Sequence, residues 1–394
     1  MDRNRSLTEE FSSKLEEAAS LPVLKREYFS TPIIIDSIEL LYNEEYDFYL
    51  VRSRSKDGAE GIAVANKRAN FLSSILQNAV IPYFLGKDAR DLELLIEGVF
   101  KYKNNYKLSG VAFWSCVAWV EFSLLDMLGK IINKPVGELL GNTIRREIPI
   151  YVASGRRETT PKEEVDLLVQ KLEATGARAV KFKLGGRMSK NVDSIAGRTE
   201  GLIHLSRKVL GDQITIHADG NGSFDVEKAI EIGRLLEGIN AYFYEEPCPF
   251  DYLEETKQVA SALSIPIAFG EQETSLRRFR WIIENKAARI IQPDLHYNGG
   301  FIRTTRVARM AELAGLPTTV HISGDGLGFL YMLHFTSYLP NPGRFQEFKG
   351  DIGKTGLLFD PIIKIKDGNL QVPMGPGLGV TAIDAVLQKA KKIN

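Results

Sequence analysis

Cysteine is nearly absent: Cys116 and Cys248 are the only two in 394 residues. Two thiols that far apart make no disulfide framework and lack the spacing of a metal site. An excess of charge is missing too, because 50 basic and 50 acidic side chains leave a formal net charge of zero. No basic surface advertises nucleic acid or anionic lipid as a partner. The opening stretch MDRNRSLTEEF is polar, without the apolar centre of a signal peptide. The most apolar stretch, Val111 to Leu128, is interrupted by Ser115, Glu121, Ser123 and Asp126, so it reads as a buried helix rather than a membrane span. There is no low-complexity tract and no sequence repeat. What is left is an ordinary globular composition, 44% hydrophobic and 25% charged, with the cytoplasm as the expected compartment.

This length suits one large domain with a smaller companion. Residues 1–30 read as an N-terminal extension with a helical piece near LTEEFSSKLEEAAS. After Pro32, PIIIDSIELLY, DFYLVRSRS and EGIAVAN read as three strands, with KDGAEG as the turn between the second and third. From Lys67 to Ile132 the apolar spacing is helical, in roughly three helices. Residues 31–145 are therefore expected to form a small α+β domain. Near Ile148 the rhythm changes. IPIYVAS, ARAVKFKLG, ITIHADGN, AYFYEEP, IPIAFGE, RIIQPDL, PTTVHISG and RFQEF are eight short apolar runs separated by helical stretches. That alternation means parallel strands with crossover helices, and residues 146–355 fit a (β/α)8 TIM-type barrel. A doubly wound sheet is the alternative, but no GxGxxG follows any run. Residues 356–394, with PIIKIKDGNLQVPMGPGLGV and a short basic helix, can return to the small domain or cover the barrel.

Ionisable residues cluster at the C-terminal end of nearly every run: Lys181 and Lys183, Asp219 and Asn221, Glu245 and Glu246, Glu271, Asp294, His321 and Glu347. A barrel gathers its strand ends on one face, where its active site sits. Asp219, Glu245 and Glu271 are spaced about 26 residues apart on consecutive strands, and neighbouring strands lie roughly 5 Å apart. Three such carboxylates can share one ion. Oxygen ligands without Cys or His suit Mg2+, with Mn2+ as the alternative. Side-chain alternation makes Glu245 and Glu246 face opposite ways but leaves open which points inward. Lys181 and Lys183 share a face, with Phe182 on the other. Buried ammonium groups there need an anion, such as a substrate carboxylate, and one of them could act as a base. Asp294 could orient His321. Glu347 would complete the site, donating a hydrogen bond to a substrate oxygen if it is kept protonated. His204, His217, His296 and His334 receive no role.

Together these motifs resemble the enolase superfamily, specifically its mandelate racemase-like subgroup. VKFKLGG is similar to its Lys-x-Lys motif, HADGN to its Asp-x-Asn pattern, YEEP to its Glu-x-Pro motif, QPD and VHISG to its His–Asp dyad, and FQEF to its strand-eight glutamate. VEFSLLDMLGKIINKPVGELLG and VPMGPGLGV resemble its domain linker and closing segment. The resemblance implies a modified barrel capped by a domain built from the N-terminal region and the returning C-terminal tail. It makes Glu245, not Glu246, the middle metal ligand between Asp219 and Glu271. It implies that Lys183 removes a proton next to a carboxylate and that Lys181 neutralises that carboxylate and lowers the pKa of Lys183. His321, oriented by Asp294, acts on the opposite face, Glu347 holds the enediolate, and Asn221 binds substrate with Lys181. The loop Tyr42–Tyr46 is the expected lid. Dehydration of a sugar acid is the expected reaction, with racemisation, epimerisation or cycloisomerisation as the other outcomes. A homo-oligomer is expected from the resemblance alone. A non-catalytic binding protein on the same fold is the competing class. A phosphate-handling barrel enzyme would use HISGDGLG as its loop, a stretch that reads instead as a turn beside His321. Arg187 reads as a loop cap or a contact for a distal carboxylate, and Cys248 as a buried apolar residue near the pocket.

Overall fold

Strand alternation after Pro32 becomes β1 (Ile35–Asn43), β2 (Phe48–Ser55) and β3 (Glu60–Ala65), antiparallel neighbours in the computed structural model of the chain. The structure describes residues 2–323, 328–349, 358–382 and 384–393. Ahead of the sheet lies α1 (Asp2–Ser20). After it come α2 (Ala69–Ile75), α3 (Ile81–Phe84), α4 (Leu92–Lys101) and α5 (Val111–Ile131). A π-helical stretch, Leu76–Val80, joins α2 to α3.

α5 is long and apolar enough to cross a membrane, yet it is buried inside the protein. It packs on β2 and β3 so closely that Gly61 has no room for a side chain. A Cβ there would sit 2.0 Å from Ser123 O and 2.4 Å from Met127 N. Three of the four polar residues that interrupt this helix, Ser123, Asp126 and Glu121, are structural. Ser123 and Ser53 share a 2.6 Å hydrogen bond. Asp126 accepts from Ile62 N at 2.8 Å and Leu378 N at 2.8 Å, and pairs with Lys130 at 2.6 Å. Glu121 accepts from Ile302 N at 3.0 Å.

The barrel runs through β4 (Glu147–Ala153), β5 (Ala179–Lys183), β6 (Thr215–Asp219), β7 (Phe243–Glu245), β8 (Ile267–Phe269) and β9 (Ile290–Ile291), each parallel to the next. β10 (Gln346–Phe348) pairs in parallel with β4 and closes the ring. The seventh expected strand is reduced to isolated bridges, Ile291 to Thr318, Asp294 to His321 and Thr318 to Pro342. Side chains stitch that gap, with Val320 N donating to Gln346 and Ile322 N to Glu347. The outer helices are α6 (Val136–Leu140), α7 (Pro161–Thr175), α8 (Arg198–Leu210), α9 (Val226–Gly238), α10 (Leu253–Ala262), α11 (Leu276–Glu284), α12 (Phe301–Leu313) and α13 (Gly328–Tyr338). α7 starts with a reciprocal cap between Thr160 and Glu163, and α9 and α11 with side-chain caps from Asp225 and Ser275.

α1 docks on α11 and α12, where Leu15 is buried with Phe279 and Ile282. The tail pairs with both sheets. β11 (Phe359–Asp360) pairs with β14 (Thr381–Ala382), while β12 (Ile365–Lys366) and β13 (Asn369–Gln371) form a hairpin that extends the barrel sheet beside β4. α14 (Asp384–Lys389) then leads to β15 (Lys391–Lys392), which joins β1 in the N-terminal sheet.

Asp126 ties β3, α5 and the tail together. Asp126→Ala leaves two amides without their acceptor and should cost about 3 kcal/mol or more, read as a lowered midpoint in urea unfolding. A change below about 0.5 kcal/mol would show that water replaces these bonds.

Candidate active site

Strand register builds the site. Lys181, His217 and Phe243 lie side by side in one layer of β5, β6 and β7, and Lys183, Asp219 and Glu245 in the next. Glu271 follows β8 after Gly270, whose φ of 129° suits glycine. Asp219, Glu245 and Glu271 each present an oxygen, and the three oxygens lie within 4.8 Å of one another. All three residues are buried.

Cations surround this cluster. Lys183 pairs with Asp219. Lys181, fully buried, bridges Glu245 at 2.7 Å and Glu347 at 2.9 Å. His321 Nε2 faces Glu271 at 3.4 Å and Glu347 at 3.8 Å, while its Nδ1 meets Asp294 at 2.8 Å. Asp294 is itself anchored by donors from His296 N at 2.8 Å, Tyr297 N at 2.9 Å and Ser323 Oγ at 2.9 Å.

The charges respond to this crowding. Burial, and then the nearby Asp219 carboxylate, push Glu245 up to about 8. Burial would raise Asp219 as well, but Lys183 and Lys181 hold it below the usual carboxylate range. Burial disfavours the Lys181 ammonium, and Glu245 and Glu347 overcome this, so Lys181 stays charged well above its ordinary range. Burial favours the neutral form of Glu347, but Lys181 and then His321 outweigh burial and hold its carboxyl below the usual carboxylate range, and it accepts a bond from Ile322 N at 2.8 Å. Burial lowers His321, and Glu271, Glu347 and Asp294 overcome that and raise it.

The donor set fits a divalent cation. Three clustered carboxylates supply hard oxygens, and Glu245 Oε1 and Glu271 Oε2 are buried without a hydrogen bond. Glu246 is buried at a φ of 37°, and one of its oxygens lacks a partner as well. Burial and then Glu271 raise its pKa well above the usual range.

Several site neighbours escaped the sequence reading. Gln292 donates to Glu245 at 3.2 Å. Arg157, after β4, donates to Asn221 Oδ1 at 2.7 Å. Asn221 in turn donates to Asp219 at 3.1 Å and Glu271 at 3.4 Å. From the N-terminal part, Asn66 reaches Ser323 at 3.3 Å and Arg68 reaches Tyr297 at 3.0 Å. The expected lid, Tyr42–Tyr46, instead engages the tail: Asn43 bonds Val386 O at 3.0 Å and Glu45 pairs with Lys389 at 2.7 Å. Arg187 reaches Asn221 at 3.2 Å, and Cys248 is buried in the core. Within HISGDGLG, residues 324–327 lie outside the described residues. His217 stacks on Phe243, and His296 accepts from Trp119 at 3.0 Å, so both serve packing.

The N-terminal domain profile of the mandelate racemase / muconate lactonizing enzyme family matches residues 39–141, and the enolase C-terminal domain-like profile matches residues 163–386. The chain belongs to this family, on the modified barrel fold of the enolase superfamily. It is similar to the arabinonate dehydratase of Saccharolobus solfataricus, 28% identical over 80% of this chain and 82% of that one. It is 25% identical to the D-xylonate dehydratase of Haloferax volcanii over 90% and 88% of the two chains. Among solved structures, a racemase candidate from Roseobacter denitrificans superposes with a TM-score of 0.85 at 33% identity, covering 92% of this chain and 99% of that one.

Because the folded pKa of His321 is raised above its ordinary 6.5, its stabilising pairing is complete below pH 6.5 and is lost as pH climbs through the folded value. In metal-free protein, imidazole NMR should show His321 titrating above 6.5, with His296 and His334 near 4. Asp294→Asn should lower the His321 midpoint. A midpoint at or below 6.5 in the parent chain contradicts this electrostatic picture.

Proposed function

We propose that this chain is a Mg2+-dependent dehydratase of sugar acids. The observation that carries the reading is the placement of two proton-transfer groups at opposite ends of one carboxylate cluster: Lys183 beside Asp219, and His321 beside Glu271. The names of the curated relatives, arabinonate and D-xylonate dehydratase, support the same reaction class.

In this reading Asp219, Glu245 and Glu271 hold Mg2+, which Mn2+ could replace. When bound, the ion would supply positive charge beside the substrate carboxylate. Lys183 takes the α-proton as general base. Lys181, fixed by Glu245 and Glu347, supports the developing negative charge with its ammonium. His321, oriented by Asp294, delivers a proton to the β-hydroxyl, which departs as water. The resulting enol tautomerises to a 2-keto-3-deoxy acid. Asn221 helps define the substrate-binding wall. Glu347, 2.9 Å from the Lys181 ammonium, positions Lys181 in this scheme. A cytoplasmic homo-oligomer acting on a small carboxylate belongs to the same proposal.

Incubation with Mg2+ and a panel of aldonic and aldaric acids, followed by semicarbazide detection, should reveal a 2-keto-3-deoxy product. Replacing Lys183 with Met or His321 with Asn should each lower kcat by about 10²- to 10⁴-fold. Full turnover in His321→Asn rejects its assigned role. By calorimetric titration Mg2+ should bind the parent chain, and Glu271→Gln should weaken it at least about tenfold, the loss of one charged ligand being worth more than about 1.4 kcal/mol. Unchanged binding would return the chain to the non-catalytic reading. The racemase candidate at 33% identity favours a second reaction, racemisation. Exchange of the α-proton with deuterium without dehydrated product would select it.

A further inference from the structure

Two guanidinium groups converge on one amide oxygen beside the carboxylate cluster. Arg157 Nη2 donates to Asn221 Oδ1 at 2.7 Å, and Arg187 Nη2 donates to the same atom at 3.2 Å. Among the described residues neither guanidinium forms an ion pair with a carboxylate. Arg157 is only 9% exposed, and its Nε is buried with no hydrogen-bond partner. An unpaired, desolvated guanidinium costs several kcal/mol, by order of magnitude, unless an anion completes it. Burial lowers the Arg157 pKa, and the Asp219 charge opposes that through space. That carboxylate, however, is already committed to Lys183 and to the cluster.

Asn221 separates the two ends of the site. Its amide nitrogen faces Asp219 and Glu271, and its oxygen faces the arginines. In the proposed reaction Lys181 and Lys183 face the reacting carboxylate, which leaves the arginines to face a different part of the substrate. Arginine suits a planar carboxylate because its donors form a rigid fork. Arg187 is held in place by its own backbone, whose N–H donates to Ser223 Oγ at 3.0 Å.

We propose that Arg157 and Arg187 form a receptor for a second carboxylate at the far end of the substrate, so that the site prefers aldaric acids, with a carboxylate at each end, over aldonic acids. The proposal rests on the sugar-acid reading above. It adds the specificity that the shared proton-transfer groups leave open.

The test is calorimetric titration of the Mg2+-loaded protein with matched aldarate–aldonate pairs: galactarate with galactonate, glucarate with gluconate, and mannarate with mannonate. Charged hydrogen bonds of about 1.5–3 kcal/mol correspond to a preference of about ten- to a hundredfold for the best-binding aldarate over its aldonate. Arg187→Gln, an exposed position, should cut that ratio about tenfold, one charged hydrogen bond being lost. Arg157→Gln should bring the ratio near parity. If Arg157→Gln fails to fold, Arg187→Gln decides alone. Equal affinity for both members of every pair in the parent chain overturns the proposal. So does an equal loss for both members in the variants, which would put the arginines at the reacting end. Tighter binding of a 6-phosphoaldonate than of the aldarate replaces the carboxylate with phosphate and also overturns it. Turnover measured in parallel separates the two readings: aldarate preference without 2-keto-3-deoxy product sinks the dehydratase assignment and leaves the receptor standing.

Discussion

Like-charge crowding is the constraint around which this protein is organised. Asp219, Glu245 and Glu271 bring three buried oxygens within 4.8 Å of one another. Such a group is unfavourable unless cations surround it. Lys183 meets one end, His321 the other, and Lys181 is locked between Glu245 and Glu347. The same cations that make the cluster tolerable are those a proton-transfer enzyme needs. The site thus stores its chemistry in the compensation of a charge problem.

The barrel makes this arrangement affordable in conformational terms. Each carboxylate sits at or just past a strand end, and in-register pairing fixes Lys183, Asp219 and Glu245 side by side. Rigid strands then carry the precision that long side chains on loops would lose. The N-terminal part contributes at a distance. α5 and β3 approach closely at Gly61, and the segment after β3 sends Asn66 to Ser323, which bonds Asp294. A chain of hydrogen bonds therefore runs from the small sheet to the imidazole of His321.

Much of this was legible in the sequence, for definite reasons. Period-two alternation exposes strands, and ionisable residues at the ends of apolar runs mark a barrel mouth. The carboxylates, both lysines, His321 and Asp294 all announce themselves that way. The seventh run is different: PTTVHISG looks like a strand, but its pairing is reduced to bridges because side chains of Gln346 and Glu347 take backbone donors that a ladder would have used. Glu347 was recognisable as a site residue, but its ion pair with Lys181, more than a hundred residues away in sequence, follows only from the fold. The resemblance pointed to Tyr42–Tyr46 as a lid, whereas its glutamates answer lysines of a tail that no local pattern brings back to it.

Arg157 shows where sequence reading ends. It lies in a loop, with no periodicity to aim its side chain, and RRE is an ordinary solvated string by composition. Its burial follows only from tertiary placement beside Asn221, a residue itself held at a φ of 42°. Non-glycine residues in that region cost energy that the surrounding structure must offset. Asn221 gains four side-chain hydrogen bonds from that conformation, two with carboxylates and two with arginines. Its amide is therefore oriented unambiguously: nitrogen toward the anionic cluster, oxygen toward the guanidiniums. In the proposed receptor this strained residue couples the reacting end of the pocket to its recognition end, linking catalysis and specificity through one side chain, so changes in either half would be felt by the other.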